Sequence, residues 1–303
     1  MLTKFKHLSK ILFYEIYFKI INLADRIIYS KTIFKSKDTK NDFTIYIKEN
    51  YFFKSLYIND TKIIQSKLYK KDPAHLSLLT SQALIIPTML HSEPKELLII
   101  GLGGGDLIRY YNKFLPNSNL TIVEKSNIII NLFIKYFSDN IRLKDDNKKT
   151  ASNYCSNLKS QTSNEQMNII NDDIFAIIEN SNNINFTKKK FDIIIFDGFI
   201  ENKNFDVINR KSLNKLFNKL NENGILSFNF IFPNDQKFIK TLTIFQNYFK
   251  DNILIIYGNN IHNIIMVACK NTHDSKYFKH LEGLNVIKNL HFKKQFGFIA
   301  EFC

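Results

Sequence analysis

The stretch EPKELLIIGLGGGDLIR, Glu93 to Arg109, decides the fold. Leu97–Ile100 is an unbroken apolar run, as expected of a strand buried on both faces. Gly101-Leu102-Gly103-Gly104-Gly105-Asp106 follows it without a spacer. Glycines at such a bend let the backbone turn tightly and approach a ligand closely. The helix predicted over 105–114 then places its N-terminus beside the bend, which favours a polar ligand. The chain holds nine Gly, and four of them fall within these five positions, so composition does not explain the cluster.

Working outward, the same rhythm repeats. Leu120–Val123 is the next strand and 126–137 the next helix. Ile169-Ile170 ends a third strand, and Phe175–Ile178 opens a helix. Phe191–Phe196 is a fourth strand. A helix over 211–221, ended by Asn223-Gly224, leads into a fifth strand at 225–232. Continuous apolar strands alternating with helices predict an α/β fold with a parallel sheet covered on both faces. Ile253–Ile256 and Ile264–Cys269 flank Gly258-Asn259-Asn260, the spacing of a hairpin, so the sheet is expected to finish on an antiparallel strand.

Three segments stand outside this rhythm. Residues 1–40 are a basic amphipathic helical segment. Within residues 1–35, apolar positions from Leu8 to Ile20 are interleaved with Lys4, Lys6, Lys10 and Lys19. Packing on its own or a neighbouring subunit is the expectation there, with weak contact to a membrane surface as the alternative. Residues 41–70 form a small β unit of runs FTIYI, FFKSLYI and TKIIQSK, separated by Glu49-Asn50 and Asn59-Asp60. The α/β domain occupies 71–303. It opens with a helix over 72–90, for which Asp72 is the expected N-cap and Pro73 the first helical residue. Within it, residues 144–166 are polar and read as a surface insertion.

Composition narrows the functional classes. The chain has 303 residues, 45% apolar and 23% charged, enough to build a core. No apolar run is long enough for a membrane-spanning helix. The net charge of +14 comes from 42 Lys and Arg against 28 Asp and Glu, but only four are Arg and the Lys are scattered. That pattern resembles the bias of an AT-rich genome, and no nucleic-acid partner is expected. Cys155, Cys269 and Cys303 form no paired motif, and the seven His show no ligand spacing. Neither a disulfide framework nor a metal site is expected, and a reducing cytoplasm is the simplest location.

The chemistry gathers at the predicted strand ends. Glu124 closes the strand LTIVE, about 20 residues past the glycines, where a carboxylate accepts two ribose hydroxyls. Asp172 and Asp173 follow the third strand; an acid there accepts from an adenine amino group or caps the next helix. Asp197 ends the fourth strand in FDIIIFDGF, where open α/β sheets bind their ligands. It is the candidate base or anchor for an amine. Asp106, opening the helix, joins the ligand-facing acids. No Gly-Lys-Ser/Thr follows the glycines, which excludes a P-loop, and the G-x-G-G-G pattern departs from the dinucleotide fingerprint. A nucleoside carrying a sulfonium fits these acids better than a dinucleotide does.

At these residues the chain resembles the spermidine synthase family, and in particular its bacterial spermidine-synthase-like branch. Six blocks agree in order: YINDTKIIQS, EPKELLIIGLGGGDLIR, LTIVEKSNIIINLFIKYF, NDDIFAII, FDIIIFDGF and NENGILSFN. The resemblance implies a Rossmann-like S-adenosylmethionine methyltransferase fold: a seven-stranded, mostly parallel sheet with a small N-terminal β unit and an N-terminal helix. It implies decarboxylated S-adenosylmethionine, or S-adenosylmethionine itself, as co-substrate, a small-molecule amine as acceptor, and a homodimer. Gly101, Gly103, Gly104 and Gly105 would line the nucleoside, Glu124 would hold its ribose and Asp173 its adenine. Gln65 and Asp197 would face the acceptor. Three departures stand out: Ile200 replaces the second acid of the synthases' D-S-S-D-P stretch, Gly104 replaces the acid of their glycine loop, and Leu79 or Thr80 lies near their helix tyrosine. The activity implied is aminopropyl transfer to an amine. Methyl transfer is the alternative, for which Arg109 is the candidate partner of a methionine carboxylate, and a non-catalytic nucleoside-binding homologue is the third reading.

Overall fold

The computed structural model describes residues 17, 20–21, 23–25, 27–38, 43–60, 62–138, 167–179, 184–198, 209–231, 235–250, 252–258, 261–271 and 298–302. Most of the amphipathic segment, the 144–166 insertion, Ile200 and the Asn259-Asn260 turn lie outside the described residues.

A four-stranded antiparallel sheet comes first, in the order of the chain: β1 (Lys31–Asp38), β2 (Phe43–Glu49), β3 (Phe53–Ile58) and β4 (Ile64–Tyr69). The β unit is therefore larger than its sequence suggested. Lys31–Asp38 is a strand rather than part of the amphipathic helix, and its register against β2 runs from Lys31↔Glu49 to Asp38↔Phe43. Ahead of it, the described helical residues pack on this sheet. Ile21 is buried with Phe53 and Tyr69, and Asp25 pairs with Lys67 at 2.6 Å. Ile20, Leu23 and Ile27 are exposed.

Two short helices follow, α1 (Leu79–Leu84) and α2 (Pro87–Leu90). The helix expected from residue 72 begins only at 79, with Leu78 as a cap that lends no side-chain bond. Asp72 instead binds Lys113 at 3.0 Å, and its carbonyl takes the His75 N–H. Pro87 lacks an N–H to continue α1, so it opens a new turn as α2.

The main sheet is built from β5 (Glu96–Ile100), α3 (Asp106–Phe114), β6 (Asn119–Glu124), α4 (Asn127–Tyr136), β7 (Met167–Asn171), α5 (Ile174–Glu179), α6 (Ile184–Lys188), β8 (Phe191–Phe196), α7 (Arg210–Lys219), β9 (Leu220–Ile231), α8 (Asp235–Phe249), β10 (Ile253–Gly258), β11 (Ile261–Cys269) and β12 (Phe298–Phe302). Its order is β12-β10-β11-β9-β8-β5-β6-β7. The strands from β9 to β7 are parallel. β10 and β11 pair as the antiparallel hairpin that their spacing predicted, but β11 lies between β9 and β10, so β10 and β12 are the outer strands. The seven expected strands are present, and β12 adds an eighth against β10. The helix expected to run to Asn223-Gly224 stops at Lys219. Leu220 is already strand, and the β8–β9 register shifts between Phe191 and Ile193.

Alternate side chains of each central strand feed two cores, which is why these strands read as continuous apolar runs. Leu97, Ile99, Ile193 and Ile195 join α3, α4 and the small sheet on one face. Leu98, Ile100, Ile194 and Phe196 meet α7 and α8 on the other, where Phe196, Phe228, Phe230 and Phe245 form a chain of ring contacts. Each such side chain removed from water contributes about 1.5–3 kcal/mol. No described helix is long and apolar enough to cross a membrane.

Candidate functional site

The bend after β5 is held in a conformation that only glycine adopts cheaply at three positions: φ is 100° at Gly101, 51° at Gly103 and 74° at Gly105. A Cβ on Gly101 would lie 2.4 Å from the Asp197 carbonyl oxygen, and one on Gly105 would lie 2.2 Å from the Phe133 ring. A Cβ on Gly104 would meet Ser66 at 2.8 Å. These glycines therefore admit the protein's own neighbours, a use the sequence did not reveal.

Accounting for the N–H groups of the bend decides what it can bind. Gly101 donates to the Val123 carbonyl at 2.9 Å, Leu102 to Glu124 Oε2 at 2.9 Å, Gly104 to Ser66 Oγ at 2.8 Å and Gly105 to the Leu102 carbonyl at 2.9 Å. Four of the five donors are consumed internally, so the bend is not an anion cradle. A phosphate or pyrophosphate would find few partners here.

Asp106, expected among the ligand-facing acids, is bonded within the protein. It is buried, and both oxygens of its carboxylate are engaged by protein: Oδ1 accepts from Arg109 Nη2 at 2.6 Å and Oδ2 from the Lys67 N–H at 3.1 Å. Burial pushes its pKa up and the Arg109 charge opposes that. Arg109 points inward. It donates to the carbonyls of Pro73, Gly104 and Phe137 as well as to Asp106. An arginine so occupied is not available to a methionine carboxylate.

The other expected acids collect at the carboxyl end of the parallel strands. In the sheet register Ile100 lies opposite both Val123 and Phe196, and Glu124 opposite Asn171. Gly101, Glu124, Asp197 and the Asn171–Asp173 turn therefore share one edge, with adjacent strands about 4.8 Å apart. Glu124 accepts from the Leu102 N–H at 2.9 Å on one oxygen and from the Ser126 N–H at 2.8 Å on the other. Burial raises its pKa and those backbone bonds lower it. These bonds fix its orientation.

Asp172 and Asp173 are exposed. Asp173 Oδ1 caps α5, accepting from the N–H groups of Phe175 and Ala176, and Asp172 Oδ1 accepts from the Asp173 N–H. Capping is thus satisfied through one oxygen of Asp173, leaving the second for a ligand.

Asp197 follows β8, its N–H donating to the Ile100 carbonyl at 2.8 Å. Its Oδ1 accepts from Asn229 Nδ2 at 2.7 Å, and Asn229 Oδ1 accepts from Asn263 Nδ2 at 2.8 Å. Burial pushes the Asp197 pKa up to about 7, against the Asn229 bond and with help from the negative charge of Asp106. A carboxyl group at that value exchanges a proton near neutrality, as a general base or an amine anchor requires.

Gln65 is half-buried on β4. Among the described residues, its neighbours Ser66 and Lys67 are the ones that bond to the bend and to Asp106. Sequence reasoning missed Ser66, Asn229 and Asn263. The signal for Asn229 was present, a lone amide inside the apolar run ILSFNFIF near the end of a strand. No group of side chains suited to a metal ion occurs among the described residues.

Comparison with known proteins bears on this arrangement. Residues 79–253 match the model of the spermine/spermidine synthase domain. A polyamine aminopropyltransferase of Buchnera aphidicola is 29% identical over 285 residues, covering 88% of this chain and 85% of that one. A probable spermidine synthase from Corynebacterium glutamicum superimposes with a TM-score of 0.62 at 15% identity, covering 91% of each chain. Spermidine synthase from Thermotoga maritima gives 0.55 at 18%, over 82% of this chain and 75% of that one. Human methyltransferase-like protein 13, solved with SAH, gives 0.54 at 16%, over 70% and 91%. With the matched domain spanning more than half of the chain and containing the bend, Glu124 and Asp197, this protein belongs to the spermine/spermidine synthase family.

Proposed function

We propose that the protein transfers an aminopropyl group from decarboxylated S-adenosylmethionine to an amine acceptor. The observation that carries this reading is the pairing of acidic strand ends with a bend whose N–H groups are spent. Glu124, Asp173 and Asp197 line one edge, and the glycine bend beside them offers a phosphate almost no donors. Such an edge suits a cationic nucleoside. The matched family domain and the aminopropyltransferase relatives support the same activity.

In this reading each residue has a bounded task. Glu124 accepts from the ribose hydroxyls, and the second oxygen of Asp173 accepts from the adenine amino group. Gly101, Gly103, Gly104 and Gly105 form the wall of the nucleoside site, and Asp172 stiffens the turn. The acceptor nitrogen forms a bond to the aminopropyl carbon as the carbon–sulfur bond breaks, and sulfur leaves with that electron pair as a neutral thioether. Asp197 orients the amine and takes the proton that the new C–N bond releases. Alignment of nucleophile, carbon and sulfur supplies several kcal/mol, and proton removal about 10²–10⁴-fold.

Gln65 belongs to the acceptor side, beside Ser66. The homodimer, the cytoplasmic location and weak contact of residues 1–35 with a membrane surface are carried as parts of the same proposal. Methyl transfer loses its supporting residue, because Arg109 is engaged by Asp106 and three carbonyls.

Calorimetric titration of the full chain with decarboxylated S-adenosylmethionine and with S-adenosylmethionine tests the reading. We expect at least tenfold tighter binding of the decarboxylated form, followed by transfer to an amine detected by mass spectrometry. Preference for S-adenosylmethionine, or failure of both to bind, overturns it.

A further inference from the structure

We propose that Asn229 and Asn263 form a positioning relay that sets which face of the Asn229 amide meets Asp197. The relay rests on the proposed aminopropyl transfer only in giving Asp197 its task. Its geometry stands on its own. Asn229 is buried on β9, and Asn263 sits two residues from it in register on the antiparallel β11, where Asn263 faces Ile231 and Ile265 faces Asn229. Asn263 Nδ2 donates to Asn229 Oδ1 at 2.8 Å, and Asn229 Nδ2 donates to Asp197 Oδ1 at 2.7 Å.

An amide has a donor end and an acceptor end of nearly the same shape. With its oxygen facing the Asp197 carboxylate, Asn229 would set two acceptors against each other in a partly buried place, at the cost of an unmade hydrogen bond to each. The donor from Asn263 fixes the other choice: it occupies Oδ1 and turns Nδ2 to the carboxylate. β11 thereby acts on the strand-end chemistry although it contributes no ligand-facing acid.

The electrostatic surroundings leave this role to the amides. Among the described residues the charged group acting on Asp197 is Asp106 at the start of α3, which favours the protonated form and is itself bound to Arg109. β9 and β11 present neutral amides, Asn229 and Asn263. The bond from Asn229 is the opposing influence that favours the carboxylate.

The test is the titration of Asp197 followed by carboxyl carbon NMR in the full chain, which needs no turnover. Wild type is expected to titrate near 7. Asn229→Leu should move the midpoint upward by about one pH unit. Asn263→Leu should move it the same way by less, and the double variant should match Asn229→Leu alone, because the two act in series. The acid limb of the transfer rate should follow the same order. If Asn229→Leu does not fold, Asn229→Ser, with a shorter side chain that no longer spans both partners, carries the same expectation. An unchanged midpoint in Asn263→Leu, or additive shifts in the double variant, overturns the relay. Absence of transfer by wild type overturns the proposed activity and leaves the NMR outcome to decide the relay.

Discussion

Arg109 reaches back from the first turn of α3 to donate to the carbonyl of Gly104, while its guanidinium is paired at 2.6 Å with the buried Asp106. The residue that closes the glycine bend from inside is thus one half of an ion pair excluded from water. These two residues meet each other, and Arg109 holds the Gly104 carbonyl of the bend from that pair.

Arg109→Leu should therefore destabilise the fold by about 3–5 kcal/mol, since it leaves the Asp106 charge uncompensated. It also strips donors from the carbonyls of Pro73, Gly104 and Phe137. Urea denaturation reads the loss. Adding Asp106→Leu should recover part of it, because the stranded charge is removed. A double variant less stable than Arg109→Leu would contradict this account.

Glu124→Gln tests the fixed carboxylate. Its two oxygens take the Leu102 and Ser126 N–H groups, and an amide would set an NH₂ against one of them. Hydrogen bonds to a charged acceptor contribute about 1.5–3 kcal/mol, so nucleoside affinity should fall roughly 10- to 100-fold by calorimetry. Unchanged affinity would remove Glu124 from the site.

Gly105→Ala places a Cβ against the Phe133 ring at a φ of 74°. The left-handed conformation costs about 1–2 kcal/mol and overpacking a further 1–3. Thermal unfolding should register a loss of that order. Phe133→Leu in the same chain should return part of it, by vacating the space the new methyl needs.

The pKa of Asp197 gives a stability signature with a definite sign. The folded state holds the proton up to about pH 7, against a usual value of 3.8, so the stabilising contribution of this group is present below about pH 4 and is lost as pH rises through 7. The separation corresponds to about 4 kcal/mol, and solvent at the strand ends screens roughly half of it. Asp197→Asn should raise stability by about 2 kcal/mol at pH 8 and change it little at pH 4. Denaturation at the two pH values checks this; a gain confined to pH 4 would reverse the sign. The same variant should abolish amine transfer.

Much of the fold was legible because period and punctuation agree. Leu97–Ile100, Leu120–Val123 and Phe191–Phe196 are apolar at every position but Thr121 and Asp192, and the structure uses both faces of each. The shared edge of Glu124, Asp173 and Asp197 was legible because each of them closes or follows a strand of the parallel sheet. What failed was whatever depended on partners far away in sequence. Asp106 and Arg109 looked exposed to a ligand because nothing local shows Lys67, Pro73 or Phe137 arriving from elsewhere. Asp72 looked like a cap because the competing Lys113 lies 41 residues on. Lys31–Asp38 did not read as a strand because its apolar positions are few, and its pairing with β2 settles its conformation.

Ser66 gives the small antiparallel sheet a share in shaping the bend next door. Its hydroxyl takes the Gly104 N–H at 2.8 Å, and its Cβ sits where a side chain on Gly104 would have to go. An N-terminal sheet grafted from another relative would keep the glycine loop in shape only if it brought a small hydroxylated residue to that spot. Cutting the chain after residue 70 would not trim an appendage but take away the floor on which the loop rests.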